Sequence, residues 1–172
     1  LHDAGKATAD WQEYLADSVA GKSRKKIDHA TAGAQMIAEC AGNSVSLAAT
    51  AIQVAVMYHH GSGLPDMISP NGSSEFLERL GKPAAKLSEI RENLGERVSA
   101  EISECLASDE WKNDGRKELL DVCKSGCASK KQLFFNMGLH LRALSSCLID
   151  ADRTDSAAFE SGEKIVCAEK IP

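Results

Sequence analysis

Four of the chain's five histidines stand in short polar clusters: His2 beside Asp3, His29 beside Asp28, and the adjacent pair His59-His60. An acidic pair, Asp150 and Asp152, lies far along the chain. Imidazole nitrogens and carboxylate oxygens drawn from distant segments are the donors of a metal site. A mixed nitrogen and oxygen shell suits Mn, Fe, Co, Ni or Zn better than Ca or Mg. The chemistry such a shell supports is metal-assisted hydrolysis, with a water activated and a leaving oxygen stabilised.

Each of these residues also has a plain structural role open to it. Lys6 follows His2 by four residues and Asp3 by three, so it can reach a phosphate oxygen or simply pair with Asp3. Asp28 suits a helix N-cap better than a ligand position, which leaves His29 as the better donor. The stretch Thr31-Ala32-Gly33-Ala34 is small enough to admit another backbone or a substrate. His59-His60 ends an apolar helix, where two imidazoles favour the helix dipole; the Gly-Ser-Gly-Leu-Pro-Asp that follows suits a metal edge with room for substrate. Asp150 and Asp152, two apart, point to different sides, so one is the ligand candidate and the other a cap or ion-pair partner. His140 stands alone in mid-helix and reads as structural.

The elements that must position these groups are helices. Spacing of 3.6 residues recurs and period-2 alternation is nearly absent, which predicts an all-α, single-domain helical bundle. Helices are expected over Asp3 to about Leu15 (with Ala4, Trp11 and Leu15 toward a core), 29–41, 46–59, 74–81, 83–107 with Pro83 in the first turn, 114–124, and 130 to about 151. The last carries an apolar stripe of Leu133, Phe134, Met137, Leu141, Leu144 and Leu148. Asp150 and Asp152 would then end it. A basic turn over 18–26 carries Lys22, Arg24, Lys25 and Lys26; a solvated turn and nucleic-acid contact both fit it. Residues 1–160 read as one domain and 161–172 as a tail or the start of a linker.

Composition narrows the class. The 172 residues are 43% hydrophobic and 26% charged, ordinary for a globular domain with a real core. No apolar run approaches the ~20 residues of a membrane span. A net charge of −5 argues against a duplex-DNA binder that works by bulk electrostatics, although bound cations would reverse the local field. The six cysteines include only one close pair, Cys123 and Cys127, so reduced, mostly buried thiols are expected rather than a zinc knuckle. No Walker loop, helicase motif or Gly-x-Ser-x-Gly elbow occurs. The chain starts at Leu1 inside an apparent motif and reads as a trimmed fragment.

Taken together, Leu1-His2-Asp3-Ala4-Gly5-Lys6, Asp28-His29-Ala30-Thr31-Ala32-Gly33-Ala34, His59-His60-Gly61-Ser62-Gly63-Leu64-Pro65-Asp66 and Asp150-Ala151-Asp152-Arg153-Thr154-Asp155-Ser156 resemble the HD superfamily of metal-dependent phosphohydrolases. More narrowly they resemble the HD nuclease domain of the CRISPR-associated helicase–nuclease of type I systems. The resemblance implies a helical HD-type domain holding two divalent transition-metal ions (Mn, Fe, Co or Ni) and cutting single-stranded DNA in antiviral defence. It implies that Asp3 bridges the ions, that His2 and Asp152 serve one and His29, His59 and His60 the other, and that Lys6 lies near the scissile phosphate. Arg153 and Ser156 are weaker substrate-contact candidates. A helicase domain in cis or trans and the CRISPR surveillance complex are the implied partners, in the cytoplasm. The family usually supplies a further histidine upstream of the His-Asp pair, which this sequence does not contain. Two other readings are a phosphohydrolase of nucleotides or cyclic nucleotides, and a silent domain that binds partner subunits.

Overall fold

The computed structural model describes residues 1–41, 47–60, 63–65, 69–83, 86–108 and 115–162. Among these, every regular element is helical. A 3₁₀ turn over Ala4–Ala7 precedes α1 (Ala9–Val19), α2 (Ala30–Ala41), α3 (Leu47–Tyr58), α4 (Glu75–Leu80), α5 (Leu87–Ala107), α6 (Gly115–Lys124) and α7 (Lys130–Ser161). No described helix is long and apolar enough to cross a membrane.

α2 is the axis of the fold. Ala30 through Ile37 are all buried, and α2 contributes to three apolar clusters. Ala32 and Met36 pack with Ala4, Leu87 and Ile90; Ala34 with Val54, Met57, Tyr58 and Phe76; Ile37 with Ala49, Val56 and Leu106. A helix buried all round needs small side chains where neighbouring backbones press on it. Gly33 shows this: a Cβ there would lie 2.1 Å from the Leu1 carbonyl oxygen and 3.0 Å from Val56 Cγ1. Gly5 shows it from the other side, since its Cβ would stand 2.3 Å from the His29 carbonyl oxygen. These two glycines let the N-terminal segment lie directly against the start of α2. The small run in α2 therefore admits backbone.

The expected first helix is two elements, divided at Thr8, whose extended backbone caps α1 through its side chain to the Trp11 N–H. α1 buries none of its residues, and Leu15 is 47% exposed, so Leu15 is not a core residue. The helix touches the rest of the domain mainly through the 3₁₀ turn, and its apolar residues are too sparse to need more. The expected 83–107 helix begins only at Leu87 and is interrupted at Gly95, whose φ of +79° favours glycine. Pro83 therefore lies before the helix rather than in its first turn.

The last helix runs well past Ala151 to Ser161, with Gly162 in the left-handed conformation as its cap. Asp150 and Asp152 are thus inside α7. Its apolar stripe is only partly covered: Leu141 and Leu148 pack on the core, while Phe134 and Leu144 are exposed. α7 lies mainly on α3 and the short α6, and these leave an open apolar cleft of about 550 Å³ beside Phe134, Met137 and His140. The thiols also differ from expectation. Cys123 is buried, Cys40 and Cys127 are half-buried, and Cys105 and Cys147 are exposed, all free. Residues 163–172, and with them Cys167 and the expected tail, lie outside the described residues, as do Gly61, Ser62 and Asp66.

Candidate metal centre

Four separate segments converge on one pocket. The N-terminal stretch brings His2 and Asp3, the entry to α2 brings His29, the end of α3 brings His59 and His60, and the last third of α7 brings Asp152. Donor atoms of Asp3, His29, His59 and His60 all lie within 4.8 Å of one another, and so do those of His2, His59 and Asp152.

Asp3 divides its two oxygens between the sets. Oδ1 lies 3.4 Å from His29 Nε2 and 3.7 Å from His59 Nε2. Oδ2 lies 3.4 Å from His2 Nε2 and accepts from Lys6 Nζ at 2.7 Å. His2 Nε2 is in turn 3.4 Å from Asp152 Oδ1. Burial alone would raise the Asp3 carboxyl; its close approach to the His29 and His59 rings, with the hydrogen bond and charge of Lys6, outweighs that and holds the group well below the usual carboxylate range. Lys6 therefore makes the ion pair with Asp3 that its spacing allows, on the pocket side of the turn.

The histidine tautomers follow from their outer contacts. His59 Nδ1–H donates to the Val56 carbonyl at 2.6 Å, the carbonyl three residues back at the helix end. That leaves the lone pair on Nε2, which points into the pocket. His60 Nε2 and His29 Nε2 face each other at 2.9 Å. Two lone pairs cannot approach so closely without a proton or a shared cation between them. Burial first, then the neighbouring His59 and His29, push the His60 pKa down to about 4, so the ring is neutral and available as a donor at pH 7.

The pocket also contains polar atoms with nothing to satisfy them. Asp3 Oδ1, His59 Nε2 and His29 Nδ1 are buried without a hydrogen-bond partner among the described residues. Orphaned buried acceptors are costly unless a cation or water completes them. Two of the three point into the cluster, and their chemistry is that of a divalent-metal shell.

The comparisons with known proteins agree with this chemistry. Residues 1–147 match the family described as Cas3, HD domain. The chain belongs to that family. Neither a curated protein nor a solved structure matches it. Membership makes this a metal-dependent nuclease-type hydrolase domain of CRISPR systems, with divalent metal as its cofactor class. The match stops short of Asp152, so the place of that residue in this Cas3 HD domain rests on its distance to His2.

The other residues singled out from sequence sort clearly. Asp28 is a cap: it accepts from the Thr31 N–H at 3.2 Å and Thr31 Oγ1 at 2.7 Å. Asp150 is exposed. Arg153 and Ser156 are exposed on α7. His140 lines the apolar cleft, away from the pocket. Sequence reading missed two supports. Trp11 lies against His29 with ring centroids 4.3 Å apart. Arg79 on α4 donates to both oxygens of Asp28, at 2.9 and 3.2 Å, and lies over the Tyr58 ring. Nothing in the spacing of residues 11 and 29, or of 28 and 79, signals either contact.

Proposed function

We propose that this Cas3 HD domain cleaves single-stranded DNA with two divalent transition-metal ions, Asp3 serving both. One observation carries the reading: the Asp3 carboxylate turns one oxygen to His29 and His59 and the other to His2. A bridging carboxylate needs that division. His29, His59 and His60 would complete the first shell, and His2 with Asp152 the second. When bound, the ions supply Lewis acidity and a nucleophilic water for in-line displacement at phosphorus.

The chain's own residues do the rest. Asp3 stays ionised beside the Lys6 ammonium, with Oδ1 left free for the ions. His59 is held in one tautomer by Val56, so its free nitrogen needs no reorganisation. Lys6 Nζ, beside Asp3 Oδ2, is placed to offset charge on a phosphoryl oxygen. The reading includes a cytoplasmic protein working with a helicase, in cis or trans, and a CRISPR surveillance complex.

The test is cleavage of circular single-stranded DNA in manganese by the wild type and by Asp3→Ala. Scission by the wild type is expected, with at least a ~10³-fold loss in the variant, while its circular dichroism stays helical. Scission by a folded Asp3→Ala protein sinks the bridging role. Hydrolysis of nucleotides without strand scission would replace the substrate.

A further inference from the structure

A cleft of about 440 Å³ opens beside the cluster, between the entry to α2 and the end of α4. His29 and His60 form part of its wall, so it shares two donors with the metal pocket. Lys26, Arg79 and Lys82 line it as well.

These cations differ in what they are free to do. Arg79 is committed to Asp28 and to Thr31 Oγ1, and Asp28 is neutralised in return. Lys26 and Lys82 are exposed and have no carboxylate partner among the described residues. Their surroundings make this telling. In the same basic turn, Lys22 pairs with Asp17 at 2.9 Å, and Arg24 with Asp17 at 2.6 Å and Glu13 at 3.1 Å. Those two face α1; Lys26 faces the cleft. Lys82 is held at the rim by its own backbone, since its carbonyl accepts from Gln35 Nε2 at 3.0 Å. The remaining carboxylate of the wall, Glu75, accepts from the Tyr58 hydroxyl at 3.4 Å.

We propose that this cleft is the subsite for the phosphates flanking the scissile bond, with Lys26 and Lys82 as its binding cations. The proposal rests on the strand-cleavage reading above and gives the strand a direction of approach, across His60 and His29. Lysine ammoniums are flexible point charges that follow a backbone without reading bases, so the subsite binds a strand with little regard to sequence. In a chain of net charge −5 a local cationic groove is also what keeps a polyanion at the pocket.

The experiment measures kcat and KM on a labelled oligothymidylate in manganese across a salt series. The proteins are the wild type, Lys26→Ala/Lys82→Ala, Lys26→Arg/Lys82→Arg, and Lys130→Ala/Lys131→Ala as a charge-matched control at the opposite end of α7 from Asp152. Each phosphate contact on a single strand contributes a log–log salt slope of about 0.7, so removing two should make the slope of 1/KM shallower by about 1.4 and raise KM roughly tenfold or more at low salt. The arginine pair should restore most of both, and the control should match the wild type. Unchanged KM and slope in the alanine pair, or an equal change in the control, overturn the cleft assignment and leave strand cleavage standing. A wild type that cuts no strand in manganese overturns the reading and the subsite together.

Discussion

Asp150 and Asp152 differ by what stands opposite them. Asp152 reaches a histidine of the pocket from α7, with its side chain 19% exposed, whereas Asp150 is on the outer face. Asp152→Asn keeps the size of the side chain but removes its negative charge, so it should lower strand cleavage by about tenfold or more, and Asp150→Asn should leave it near wild type. The reverse order in a side-by-side kcat/KM measurement would move the ligand two residues back along α7. His60 makes a prediction in pH. Its folded pKa of about 4 lies below the ordinary value of 6.5. The unfolded chain therefore takes up the proton first. The contribution of neutral His60 is intact above pH 6.5, erodes as the pH falls from 6.5 toward 4, and is fully lost below that. Metal-free protein should show this as a fall in urea midpoint across that window, absent in His60→Gln. A midpoint that is flat between pH 6.5 and 4 in the wild type would contradict a ring held neutral in the folded protein.

At the scale of elements, the pocket depends on how closely the 3₁₀ turn meets α2. Gly5→Ala would drive a Cβ to within 2.8 Å of three backbone atoms of His29. Backbone cannot swing aside as a side-chain tip can, so the turn must lift, taking Asp3 with it. Overpacking of this kind costs about 1–3 kcal/mol, and metal affinity should fall alongside stability. Denaturant unfolding with an unchanged m-value would read the first and calorimetric metal titration the second; an Ala variant with wild-type stability would show that the approach is looser than drawn. The sequence displayed the helices and the donor residues because both are local: 3.6-residue spacing marks α2 and α3, and His-Asp or His-His adjacency is visible without a fold. It also displayed that α2 needed something close, through Thr31-Ala32-Gly33-Ala34, but not what that was. The break at Thr8, the exposed Leu15, the uncovered Phe134 and Leu144 and the Arg79–Asp28 tether were not legible, because each depends on which distant element lies opposite. The same holds for α7. Its apolar spacing fades after Leu148, yet the helix continues, since Arg153, Thr154 and Asp155 are acceptable on a solvent face.

For the whole molecule, the centre works as a staple. Its donors come from the N-terminal segment, α2, α3 and α7, and α7 is the least anchored of these, with Ser145 its only buried residue and Phe134, Phe135, Leu139 and Phe159 exposed. Metal binding should therefore stabilise the domain as a unit and hold α7 in particular. The two donor sets are unequal. Asp3, His29, His59 and His60 make one set, two of them buried; the other offers His2 and Asp152, with Asp3 Oδ2, once the single free nitrogen of His59 is given to the first. Manganese titration should show two steps, the tighter raising the melting temperature most and the weaker protecting amides near Asp152 from hydrogen exchange. At a free metal concentration a hundred times the dissociation constant, each step adds about 2.7 kcal/mol. His60→Gln should weaken the tight step, and Asp152→Asn should remove the weak step together with the protection on α7. If Asp152→Asn instead leaves two steps and an α7 that exchanges as the wild type does, the aspartate is near the centre without belonging to it, and the second ion must be held from elsewhere.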